Sequence, residues 1–133
     1  MRYFAPLFIL LISHAAGAQT VVYTTIHYPV KATDPQTQIY LLDETQRLEQ
    51  SLFPALSGDT QQAEQQARQR MQQPDWKEME SRLTGAYQSL LSAWSLGVDK
   101  VPAVVFDGRY VVYGTTDVRL AQQKWAQWQE QQR

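Results

Sequence analysis

The stretch Val98-Asp-Lys-Val-Pro-Ala-Val-Val-Phe-Asp-Gly-Arg-Tyr-Val-Val-Tyr-Gly114 most constrains what this chain can fold into. It predicts a β-hairpin. Val101 to Phe106 is a short apolar run rich in β-branched residues, Asp107-Gly108 is a turn signal, and Arg109 to Tyr113 is the return strand. Pro102 has no N–H to give to a ladder, so it marks a strand start or edge. Gly114 ends the second strand. Thr115-Thr116-Asp117 then offers N-caps to a Trp-rich amphipathic helix.

Upstream, Thr20 to Ile26 is entirely β-branched or aromatic and reads as a strand. His27 to Lys31 is a turn, and Ala32 to Gln38, with Asp34-Pro35, is a loop. Ile39 to Leu42 is a short buried-strand candidate. Asp43 is placed to cap a helix from Glu44 to about Phe53, with Thr45, Leu48 and Leu52 on one face and Pro54 beyond its end. After Asp59-Thr60 a glutamine-rich helix runs to Gln73. Its thin apolar stripe of Ala63, Ala67 and Met71 puts it at the surface. Asp75 is placed to cap a long helix from Trp76 to Trp94. Trp76, Met79, Leu83, Tyr87, Leu90 and Trp94 recur there at helical spacing and predict one buried face, closed by Gly97. The last helix, Asp117 to about Gln129, carries Val118, Ala121, Trp125 and Trp128 as its inner stripe. The four tryptophans on helix faces point to core packing. Together these elements predict one α/β domain: a central mixed four-stranded sheet flanked by helices, with a helical insertion.

The first residues form a targeting segment. Arg2 precedes the apolar run Tyr3 to Ile12, and Ala16-Gly-Ala18 has small residues where a signal peptidase cuts. The run is shorter than the about 20 residues of a membrane span. We therefore expect a signal peptide at 1–18, cleavage after Ala18, a periplasmic mature domain at 19–133 and no stable membrane anchor afterwards. Exported small domains often use disulfides, yet the chain has no cysteine, which excludes both a disulfide staple and thiol-disulfide chemistry. The formal net charge is −1, and losing Arg2 moves it one unit further negative. No basic block exists to neutralise a row of phosphates, so direct nucleic-acid binding is not expected. His27 is the one histidine of the mature chain. It cannot build a usual zinc site without cysteines, and no nucleophile-elbow sequence accompanies it. No cofactor and no catalytic residue is expected.

The order Val-Pro, strand, Asp-Gly turn, strand, Gly, helix resembles the C-terminal half of a thioredoxin fold. The resemblance implies a thioredoxin-like domain with a cis Val101–Pro102 bond facing its site; the residues alone leave the isomer open. Where that family carries Cys-x-x-Cys after its first strand, this chain reads Tyr28-Pro29-Val30-Lys31, with the proline in place and no thiol. In such relatives the peptide before the proline offers backbone hydrogen bonds to an extended polypeptide. His27, Tyr28, Pro29, Lys31, Val101 and Pro102 are therefore the candidate protein-binding patch.

The run Thr24 to Val30, the pair Leu42-Asp43 leading into Arg47-Leu48-Glu49, and above all Trp94 to Gly114 resemble a family of exported proteins of integrating conjugative elements. That family is similar in its C-terminal half to TrbC, the F-type conjugal-transfer pilus-assembly protein. The resemblance implies a non-catalytic periplasmic part of a conjugative type IV secretion apparatus, with other conjugative transfer proteins as partners. Two alternatives stand beside it. One is a thioredoxin-fold enzyme using Tyr28 as glutathione transferases use a hydroxyl, and the other is a general periplasmic chaperone.

Overall fold

A computed structural model describes residues 19–31, 34–53 and 55–133. The targeting segment 1–18, Ala32 and Thr33 of the first loop, and Pro54 lie outside the described residues. The elements are β1 (Thr20–Thr24), β2 (Gln38–Leu41), α1 (Glu44–Leu52), α2 (Thr60–Met71), α3 (Trp76–Ser95), β3 (Ala103–Phe106), β4 (Tyr110–Tyr113) and α4 (Val118–Gln131). They form one α/β domain with a mixed four-stranded sheet in the order β2-β1-β3-β4. β1 pairs parallel with β2 and antiparallel with β3, and β3 pairs antiparallel with β4.

β1 is central and buried at all five positions, as its β-branched and aromatic run predicts. Ile26 is not part of it; the strand stops at Thr24, and Ile26 lies exposed in the following turn. Alternation along β1 and β3 builds two cores. On one face Val21, Tyr23, Ala103 and Val105 meet Ala93 of α3 and Val98. On the other, Val22, Val104 and Phe106 meet Val118 and Ala121 of α4. Each fully buried side chain of this size contributes roughly 2 kcal/mol. The buried Tyr23 hydroxyl hydrogen-bonds Ser92 Oγ at 2.6 Å, which fixes α3 against the sheet without leaving a polar atom unpaired.

The hairpin turn lies at the predicted Asp107-Gly108, but Arg109 belongs to it and not to the return strand, which begins at Tyr110 opposite Phe106. Asp107 (φ 55°) and Gly108 (φ 63°) both take left-handed backbone, and Arg109 N–H donates to Phe106 C=O at 3.1 Å. Gly97 (φ 73°) closes α3 through a Schellman motif: Val98 N–H donates to Ala93 C=O and Gly97 N–H to Trp94 C=O. Asp117 caps α4 as expected, and Asp59 caps α2, which begins at Thr60.

Asp43 and Asp75 do not cap their helices. Each carboxylate has another partner. Asp43 Oδ2 accepts from Ile26 N–H at 3.3 Å and faces Arg47 at 3.6 Å, while Asp75 takes a two-pronged hydrogen bond from Arg70 at 2.9 and 3.2 Å.

The buried face of α3 also differs from the expected stripe. Ala86 and Ala93 are its buried residues, with Met79, Leu83 and Leu90 half-buried beside them. Tyr87 is exposed and Trp94 is 80% exposed. Two apolar stripes lie side by side on this helix, and the one carrying the alanines is the one buried, with Ala93 in the core against the sheet. Trp128 on α4 is likewise 47% exposed, so tryptophan does not mark the core throughout this chain.

Candidate functional site

The parallel pair β1–β2 is joined by residues 25–37, whose described part is turn and loop. Parallel strands need a long crossover, commonly a helix. Here the chain turns back through Asp34, whose Oδ1 accepts from Gln36 N–H, Thr37 N–H and Thr37 Oγ1 at 2.9 to 3.2 Å.

The start of this loop is anchored from three directions. The buried Thr24 donates its hydroxyl to Tyr28 C=O at 2.6 Å. Thr116, just ahead of α4, donates its hydroxyl to Pro29 C=O at 3.1 Å. Val30 packs against the core shared with α4. Tyr28 N–H closes the turn onto Thr25 C=O at 3.1 Å, and His27 N–H donates to Thr25 Oγ1 at 3.3 Å. The backbone is thus held while the side chains of His27, Tyr28 and Lys31 stay exposed, Tyr28 at 50%.

Across from the loop stands the Val101–Pro102 peptide, which is cis. Pro102 C=O accepts from Gly114 N–H at 2.9 Å, which ties the proline to the end of β4. His27, Tyr28, Pro29, Lys31 and Pro102 line one open cleft of about 450 Å³, completed by Gly114, Thr115, Thr116, Asp117 and Leu120. Five of the six expected residues therefore share one cleft. Val101 does not line it; its half-buried side chain packs against the core on the α3 face.

Nothing in the sequence marks Thr116 and Leu120 as site residues. Thr115-Thr116-Asp117 carries a capping signal that explains Asp117, whose Oδ1 accepts Leu120 N–H at 3.1 Å. Nothing local reveals that Thr116 also reaches Pro29, 87 residues away in the chain.

The cleft offers an exposed phenol ring, a cation at Lys31, an imidazole and rigid main chain. The Tyr28 hydroxyl takes no part in the hydrogen bonds among the described residues, and Val101 N–H and C=O take none either. Among the described residues no three His, Asp or Glu side chains come together as metal ligands, and no helix is long and apolar enough to cross a membrane. Displaced pKa values occur on the helices. The hydrogen bond from Arg70 holds the Asp75 carboxyl below its ordinary value, and the hydrogen bond to Glu49 raises the Tyr87 phenol.

A family model described as a protein of unknown function, DUF1525, matches residues 17–131. No curated protein and no solved structure matches the chain. The match spans nearly the whole chain, and the described domain falls almost entirely within it.

Proposed function

We propose that this chain, which belongs to the DUF1525 family, is a non-catalytic periplasmic component of a conjugative type IV secretion apparatus. In this reading it is encoded by an integrating conjugative element and holds a segment of another transfer protein. The sheet order β2-β1-β3-β4, with one parallel and two antiparallel pairs, supports a thioredoxin-like domain. The absence of cysteine takes thiol exchange away from such a domain and leaves its capacity to bind polypeptide.

The observation that carries the binding role is the anchored loop opposite Pro102. Hydroxyls of Thr24 and Thr116 hold the Tyr28 and Pro29 carbonyls, so the exposed Tyr28 ring is presented on a fixed backbone. A preorganised aromatic loses little entropy when it contacts a partner. Among the described residues no group hydrogen-bonds the Tyr28 phenol to tune it, which favours contact over the thiol-activating role of the enzyme alternative.

The test is site-specific crosslinking in donor cells, with p-benzoylphenylalanine in place of Tyr28. The expected result is one dominant adduct with a protein of the transfer apparatus. Adducts spread over many unrelated envelope proteins would instead indicate the general chaperone. No adduct at all would remove the cleft as a binding site.

A further inference from the structure

β4 is an edge strand. It pairs only with β3, and the main-chain groups of its outer side have no partner among the described residues. Edge strands are commonly guarded by an inward charge, a proline or a bulge. Tyr110-Val-Val-Tyr113 has no charge and no proline within it.

Beside this edge an open groove of about 550 Å³ runs between β4 and α4. Its floor is a ladder of rings. Trp125 stacks on Phe106 with centroids 4.7 Å apart and an interplanar angle of 7°, and Tyr110 lies 5.2 Å from Trp125 and 5.7 Å from the half-exposed Trp128. Two cations border it. Arg109 lies over the Tyr110 ring at 5.7 Å, and Lys124 projects from α4. Neither makes a salt bridge among the described residues, and no carboxylate lines the groove. The acid nearest in sequence, Asp107, belongs to the turn before the strand.

We propose that the outer edge of β4, with this aromatic groove, docks an extended acidic segment of another protein as a fifth strand. Three observations converge on that occupant. The free edge supplies main-chain hydrogen bonds, which accept any extended sequence. The ring ladder receives the side chains that alternate toward α4. The two unpaired cations, on a chain of net charge −1, select acidic side chains beside them. A second copy of this chain fits less well, because its own Tyr110–Tyr113 strand brings no acidic side chain to the cations. The surface is separate from the residue 25–37 loop and does not depend on the function proposed for it.

The test uses the full chain, labelled with 15N, and two capped octapeptides of alternating Val–Glu and Val–Lys. The Val–Glu peptide is expected to shift the amides of Tyr110–Tyr113 and the indole signals of Trp125 and Trp128 saturably, by about 1 mM. The Val–Lys peptide is expected to leave them in place. Joint Arg109→Glu and Lys124→Glu substitution, at exposed positions, should weaken binding at least about tenfold. Raising the salt concentration should weaken it in the unsubstituted protein as well. Tyr28→Ala should leave it intact. The proposal is overturned by equal binding of both peptides, by shifts at β2 in place of β4, by no shift, or by shifts that follow protein concentration alone and so report a second copy.

Discussion

α3 and α4 lie on opposite faces of one sheet and use their aromatic residues differently. α3 turns Ala86 and Ala93 inward and leaves Tyr87, Leu91 and Trp94 exposed. α4 buries Val118 and Ala121 near its start, then stacks Trp125 on Phe106 where it runs out over the hairpin. Helical periodicity identifies an apolar stripe, but not which of two adjacent stripes faces the sheet. That choice is made by packing against the rest of the domain: Ala93 fits against the sheet on one face, and on the other the Trp125 ring packs on Phe106.

The largest expected effect is on the α4 side. Trp125→Ala should cost about 3 kcal/mol in denaturant unfolding, because it removes a ring packed against Phe106 and Tyr110. Trp94→Ala on α3 should fall within about 0.5 kcal/mol of the unsubstituted protein, as expected for a surface position. Trp125→Phe sharpens the contrast. It keeps a ring and discards an indole N–H that is sealed from solvent with no partner among the described residues, so its cost should stay at about 1 kcal/mol. Equal losses for Trp94→Ala and Trp125→Ala would break the comparison.

Next in size is overpacking of the close contact on the α3 face. Ala93 is 3% exposed and packed between α3 and the sheet, so Ala93→Leu should destabilise by about 2 kcal/mol. The same enlargement at exposed Ser95, two residues along the helix, should be nearly neutral in the same unfolding measurement.

The smallest effect concerns the start of α3. The Asp75 carboxyl is held below its ordinary value of 3.8 by Arg70. Its contribution is therefore present above that value and is lost as pH falls through the folded-state value. Thermal unfolding followed from neutral to acid pH should show a small extra loss in the unsubstituted protein that Arg70→Gln removes. An unchanged acid profile in Arg70→Gln would mean that the exposed pair contributes nothing measurable.

The elements most legible in the sequence are those with a local cause. Asp107-Gly108, Gly97 and Asp117 act within a few residues of themselves, and each takes the expected conformation. Asp43 and Asp75 carry the same capping signal, but other donors hold their carboxylates: Arg47 and the distant Ile26 N–H, 17 residues back in the chain, for Asp43, and Arg70 for Asp75. The cleft is half legible for the same reason. His27 to Lys31 announce a loop after a strand, and Pro102 announces a strand start. The hydroxyl of Thr116 that joins α4 to this loop has no signature in its own neighbourhood.

The measurement that bears most directly on the proposed role is conjugation frequency from a donor lacking this gene. It is to be complemented by the natural chain and by Tyr28→Ala, an exposed substitution expected to leave the fold intact. Transfer restored by the natural chain and reduced at least about tenfold with Tyr28→Ala is the result the account predicts. Transfer undiminished by loss of the gene would contradict it.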